Sequence, residues 1–317
     1  MHMLAKPSEH SHSHSHSNED DASKRSAEGI RVVQVSVVVL IITAVVQLVI
    51  VWFSGSSALL ADTVHNFSDA LSAVPLGIAF VLGRRPANRR YPFGYARYED
   101  LAGLLIVGLI LLSAVLAAWQ SISHLRHLEP MEHVPWVAAA GLVGFAGNES
   151  VALYRIRAGR RINSPALIAD GQHARADGLT SLAVVASSVA SWFKIPMADP
   201  ILGLLIATMI TVILISATRD VLRRLLDSID PEYESQIAIA LATHGDQEIL
   251  PAVRVRQLGY SLLAEADLEL PGETTLETAM GLVKQMEADA KAAVPRLQSL
   301  RIQFAPREES YAYSPSS

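Results

Sequence analysis

Two stretches of this chain carry the same imidazole and carboxylate side chains inside otherwise apolar sequence: Ala58-Leu59-Leu60-Ala61-Asp62-Thr63-Val64-His65-Asn66-Phe67-Ser68-Asp69 and Ala166-Leu167-Ile168-Ala169-Asp170-Gly171-Gln172-His173-Ala174-Arg175-Ala176-Asp177. Both read A-L-hydrophobic-A-D-x-x-H-x-x-x-D. On a helix, residues four apart share a face, so His65 stands with Asp69 and His173 with Asp177, each pair offering one ring nitrogen and one carboxylate. Two such pairs brought face to face supply four ligands of the types a divalent zinc ion favours. Asp62 and Asp170 precede the histidines by three, on roughly the same face one turn nearer the helix start. Four ligands already close a tetrahedron, so these two acids read as acceptors behind the ligands, residues of an ion's path, or helix-start acids. Arg175 is two residues from His173 and points elsewhere on the helix, as a partner for an acid or a snorkelling side chain.

Such motifs need a membrane to make them unusual, and the composition supplies one. Half of the 317 residues are hydrophobic and the mean hydropathy is positive, too apolar overall for an ordinary soluble enzyme. There is no cysteine, which excludes disulfides, thiolate chemistry and zinc ribbons, so a metal must be held by His, Asp, Glu or backbone oxygen. No cationic patch followed by an apolar core and a small-residue cleavage site opens the chain, so the first apolar segment is expected to stay. The tract His10-Ser11-His12-Ser13-His14-Ser15-His16, followed by Asn18-Glu19-Asp20-Asp21, is expected to be disordered and to bind transition metals weakly, unless it is a purification artefact.

Six segments reach the length of about 20 residues that a span requires: 32–53, 58–82, 101–122, 134–153, 165–192 and 200–217. Arginines gather on alternate sides, with Arg84, Arg85, Arg89, Arg90 and Arg97 after the second, Arg155, Arg157, Arg160 and Arg161 after the fourth, and Arg219, Arg223 and Arg224 after the sixth. The opposite face has Arg126 and Lys194 and little else, which places both termini in the cytoplasm. Each half of three spans carries its motif on the middle one, the pattern of an internal repeat whose halves are inverted. A titratable side chain in a span is expensive and is therefore a functional candidate, although a polar lock between two helices remains the plainer reading of the same four residues. No Lys or Arg is expected at the depth of the motifs.

Beyond about Asp227 the pattern changes. A helix through Glu234 and a strand from Val253 to Leu258 are followed by a Gly259-Tyr260 turn, a strand from Leu262, a helix from Thr275 and a strand through Leu300 to Phe304. The order is α-β-β-α-β, in a domain small enough for pairing with a second copy to help its core. From Val221 onward nine Lys and Arg face fifteen Asp and Glu, an acidic balance that favours cations over nucleic acid.

Together these features resemble the cation diffusion facilitator family of six-span metal/proton antiporters. The resemblance rests on the two H-x-x-x-D motifs, on Tyr91-Pro92-Phe93-Gly94-Tyr95-Ala96-Arg97-Tyr98-Glu99 before the third span, on Arg160-Arg161-Ile162-Asn163-Ser164-Pro165-Ala166-Leu167 before the fifth, on Asp199-Pro200, and on the tail's element order. It implies an α-helical membrane protein with six transmembrane helices in two three-helix halves, followed by a small α-β-β-α-β cytoplasmic domain. Its parts would be a disordered His-rich cytoplasmic tail over 1–29, a transport domain over 30–220, a metallochaperone-like domain over 221–306 and a disordered tail over 307–317. It further implies a homodimer in the cell (inner) membrane, each protomer with a metal site of His65, Asp69, His173 and Asp177. His-Asp on both helices goes with zinc export; cobalt, cadmium, nickel or iron are the other candidates. Some relatives pair a cation and an acid at the positions of Arg97 and Asp227 to link the two parts. Two departures stand out: Tyr91 and Tyr95 occupy positions where some relatives place extra metal-binding histidines, and the soluble domain, whose relatives hold a binuclear zinc site, has only His244, with Asp267 and Gln303 at strand positions of that site.

The implied mechanism is proton-coupled efflux by alternating access, with no prosthetic group, a divalent cation as cargo and protons as counter-ion. Imidazole binds metal only when neutral, so protonation from the far side would eject the ion. A membrane-embedded metalloenzyme would need an open coordination position and a general base, and no H-E-x-x-H occurs; a metal sensor would need a ligand-rich soluble domain.

Overall fold

The computed structural model of the chain describes residues 13–54, 63, 67, 73–126, 134–193, 197–243, 252–270 and 273–306. Two compact units are present, one of them Asp21–Leu226 and the other carrying the chain from Asp227 onward.

Among its described residues the first unit consists of helices: α1 (Ser13–Ser54), α2 (Val74–Gly83), α3 (Arg97–Arg126), α4 (Val134–Ile162), α5 (Pro165–Trp192) and α6 (Ala198–Leu225). Stretches of α1, α3, α4 and α6 are long and apolar enough to cross a membrane. The 28 residues of α5 rise about 42 Å, enough for a hydrocarbon core of about 30 Å, but its motif side chains make it more polar than the other four. Of the expected second span, α2 and the single residues Thr63, Phe67 and Ala73 are described.

Contacts between helices fix their directions. The Arg25 guanidinium of α1 reaches the Ile162 carbonyl at the end of α4, and Gln47, near the other end of α1, donates to the Ala140 carbonyl near the start of α4. Gly103 near the start of α3 lies against Ala166 at the start of α5, and Ser121 near the end of α3 lies against Gly203 near the start of α6. One end of the unit therefore gathers the Arg-rich connections. The other holds all four tryptophans of the chain, Trp52, Trp119, Trp136 and Trp192, exposed by 85, 73, 43 and 71 %, as an interfacial aromatic belt requires.

The sequence reading ends the disordered tail at residue 29, whereas α1 is helical from Ser13. Ala22, Lys24, Arg25, Ala27 and Glu28 are good helix formers, and extending a helix already nucleated by an apolar span costs little. Glu28 also pairs with Arg161 of α4.

The turn between α4 and α5 is written in Ile162-Asn163-Ser164-Pro165. Asn163 takes the left-handed conformation at φ 52°, Ser164 N–H returns to the Gly159 carbonyl at 2.8 Å and Asn163 N–H to Arg160 at 3.3 Å, closing α4 with a Schellman motif. Ser164 then caps α5 by accepting from Leu167 N–H at 3.2 Å, and Pro165 fills the first position, where no N–H is needed. The two helices leave this hairpin in close contact. A Cβ on Gly171 would stand 2.7 Å from Ile156 Cγ1 and 3.0 Å from Ile156 N, so small residues let α5 lie backbone to backbone on α4.

The second unit orders its described elements as α7 (Pro231–Ala242), β1 (Ala252–Leu258), β2 (Ser261–Leu270), α8 (Leu276–Ala293) and β3 (Leu297–Pro306). β1 and β2 are an antiparallel hairpin, and β3 joins β2 in parallel. Alternation along β2 buries Leu262, Ala264, Ala266 and Leu268 against Ile237, Leu241, Met286 and Leu297, leaving Glu265, Asp267 and Glu269 exposed.

Candidate metal centre

The capping just described sets the phase of α5, and that phase buries the motif. His173 and Asp177 lie one turn apart with side chains 5 and 4 % exposed, and His173 Nδ1 stands 3.7 Å from Asp177 Oδ2. That separation is too long for a hydrogen bond. A tetrahedral zinc ion bound to nitrogen and oxygen at about 2.1 Å holds them about 3.4 Å apart, so this pair is within a few tenths of an ångström of sharing one ion. His65, Asp69 and Asp62 lie outside the described residues. Among the described residues no three His, Asp or Glu side chains gather closely enough to hold a metal; what α5 shows is one buried imidazole–carboxylate pair.

The polar groups around the pair differ in part from expectation. Asp170 is fully buried and faces Arg155 of α4, with Nη1 and Oδ2 3.0 Å apart and side chains 1 and 0 % exposed. An arginine does therefore lie beside the motif, contrary to the sequence reading, which took Arg155 as one more marker of the cytoplasmic face. The signal available was Asp170 itself, since a buried acid requires a cation or donors. Arg175 has the acidic partner expected of it: its Nε and Nη2 donate to both carboxylate oxygens of Glu149 on α4, at 3.2 and 2.9 Å. The sequence signal for Glu149 is that of any acid in an apolar run, which asks for a partner. Both ion pairs bind α5 to α4, one through Asp170 and the other through Arg175.

At the Arg-rich end, Arg224 in the last turn of α6 holds Asp100 at 2.7 Å and Glu99 at 3.4 Å on the first turn of α3 and donates to the Asn163 carbonyl in the α4–α5 turn at 3.1 Å. Arg97 adds a contact of 3.6 Å to Asp100. Acids at a helix start and a cation at a helix end both suit the helix dipoles. In the loop before α3, Tyr91 and Tyr95 stack with ring centres 4.7 Å apart, and Asn88 donates to the Tyr95 hydroxyl at 2.7 Å. In the second unit Asp267 sits opposite Gln303 with its carboxylate 3.2 Å from Arg254; His244 lies outside the described residues.

A bundle of long apolar helices with a buried imidazole and carboxylate on one of them has the make-up of a multi-pass membrane protein. The chain belongs to the cation efflux family: the model of the cation efflux transmembrane domain matches residues 33–226. It is 50 % identical to a cation efflux system protein of Mycobacterium tuberculosis over 91 % of this chain and 87 % of that one. It is also similar to the magnetosome protein MamB of Magnetospirillum gryphiswaldense, at 26 % identity over 80 % of this chain and 86 % of the relative. Metal tolerance protein 2 of rice, Oryza sativa subsp. japonica, is 25 % identical over 69 and 63 %. Members of this family are transporters and not enzymes, and the chain is a multi-pass membrane protein.

Proposed function

We propose that this protein exports a divalent transition-metal cation, zinc first among them, from the cytoplasm in exchange for protons. The observation that carries this reading is the buried His173–Asp177 pair, spaced to share an ion, on a helix inside the matched transmembrane domain. His65 and Asp69 repeat the same spacing and complete a four-ligand site. Residues 58–82 and α5 then join α1, α3, α4 and α6 as six spans, and the Arg-rich end with both termini faces the cytoplasm. The carrier works as a homodimer in the inner membrane.

Cargo and counter-ion compete for the same atoms. Zinc needs a neutral imidazole and an ionised carboxylate, so protons arriving from the far side release the ion and leave the carrier charged with what it must return. The cation on the cytoplasmic side is drawn by the acidic balance of the second unit. Zinc, cobalt, cadmium, nickel, manganese and iron(II) competing in the same vesicles test the selectivity: zinc should exclude the others most strongly, because two imidazoles and two carboxylates in a tetrahedron suit it. Manganese or iron(II) displacing zinc at equal concentration would overturn that assignment.

A further inference from the structure

One polar feature of the membrane unit is left over after the ligand pair and the ion pairs. Between α3, α5 and α6 lies a cavity of about 120 Å³, lined among others by Gln120, Ser121, Thr180, Val184, Ser187 and Ile206. A water molecule occupies about 30 Å³, so the space suits about four.

Its position along α5 connects it to the ligands. His173, Asp177, Thr180, Val184 and Ser187 follow one another at alternating steps of four and three, which places them on one stripe of the helix. Ala166 begins the same stripe, and its Cβ lies 3.3 Å from where a Cβ on Gly103 of α3 would stand. At the cavity the stripe faces Ala117, Gln120 and Ser121 of α3. Thr180 comes one turn after Asp177, and Ser187 about 15 Å beyond Asp177, less than two turns before α5 ends at Trp192. The cavity thus continues the ligand face toward the tryptophan end, away from the arginines.

Ser187 adds to the polar wall. The Thr180 and Ser121 hydroxyls bond back to the Ala176 and Ala117 carbonyls at 2.8 and 2.7 Å. Ser187 is 3 % exposed and lines the cavity, so a third hydroxyl-bearing residue, about two turns beyond Thr180, stands at its wall, and water suits a wall with polar groups better than an apolar one.

We propose that this cavity is a hydrated release path through which the cation leaves the His173–Asp177 pair for the membrane face at the tryptophan end. The proposal rests on the efflux reading above and names the route that reading requires. The absence of cysteine from the chain makes the test direct, because a single introduced thiol is the sole target. Ser187→Cys and Ser121→Cys, each in the full-length protein in lipid vesicles, are treated with a small, positively charged methanethiosulfonate that does not cross membranes. The thiolate, which forms where water reaches the sulfur, attacks the reagent's thiosulfonate sulfur and expels methanesulfinate, leaving a mixed disulfide; labelling at least about tenfold faster than at Val189→Cys, on the outer surface of α5, is expected. Labelling should also abolish zinc flux. Should Ser187→Cys be inactive before treatment, Ser121→Cys on the same cavity carries both measurements. Labelling of both at the Val189→Cys rate, or fast labelling that leaves zinc flux unchanged, would overturn the path while the efflux reading stands. Untreated wild-type vesicles that move no zinc would instead remove the efflux reading, and this path with it.

Discussion

In the proposed site His173 and Asp177 each offer one donor atom to an ion that takes four, so the loss of either leaves an incomplete shell that the rest of the helix cannot replace. His173→Ala and Asp177→Ala should each weaken zinc binding by more than about 100-fold in calorimetry and abolish flux, with unchanged elution on size exclusion, because alanine keeps the helix intact. Wild-type affinity in either variant would remove these residues from the site. Arg155 and Asp170 work differently, as a pair held at 3.0 Å out of reach of solvent. Arg155→Ala strands a buried carboxylate and should cost about 3–5 kcal/mol in detergent melting, whereas the joint change Arg155→Met with Asp170→Leu should recover most of the loss. Equal losses in both would mean that packing rather than charge dominates. That His173 and Asp177 share a face was legible because their spacing lies within one helix, and the structure buries both. Arg155 was not, because its burial depends on a partner fifteen residues on in another helix, and a count of basic residues reads every arginine as a marker of a membrane face.

The α4–α5 hairpin shows how much of an element the sequence writes out. Its turn was visible as Asn163-Ser164-Pro165, each residue suited to one position of a Schellman stop and a capped start. The close approach beyond it was not read, since glycines within a span look like weak helix formers until the neighbouring backbone is known. Gly171→Val should prevent α5 from seating on α4, seen as loss of the folded monodisperse protein, because Ile156 N lies 3.0 Å from where a Cβ would stand. Gly108→Ala on α3 meets nothing within 4 Å and should be neutral or stabilising by up to about 1 kcal/mol. If both variants fold equally well, the α4–α5 contact is looser than these distances imply. The early start of α1 was missed for a related reason: polar composition argued for a tail, while an adjoining apolar helix already supplied the nucleus.

At the scale of the molecule, the arginines at one end and the four tryptophans at the other orient the unit as a bilayer would, and hydropathy alone was enough to mark most of its helices. α5, which falls outside the four long helices apolar enough to cross a membrane, is the helix that buries His173 and Asp177, because polar side chains lower hydropathy. The unit beyond Asp227 buries one face of its sheet and turns Glu265, Asp267 and Glu269 outward. Expressed alone, that unit should bind zinc weakly and in a salt-sensitive manner, since exposed carboxylates attract ions without assembling a shell; a tight, salt-insensitive site in calorimetry would show that it senses metal. Exchange of a divalent cation for protons at the histidine–aspartate pair can be followed with purified protein in vesicles that have an acidic lumen and hold both zinc- and pH-reporting dyes. External zinc should enter while the lumen becomes alkaline, zinc entry should slow when the pH gradient is collapsed beforehand, and both signals should be absent in His173→Ala. Zinc entry that ignores the gradient, or that continues in His173→Ala at the wild-type rate, would contradict it.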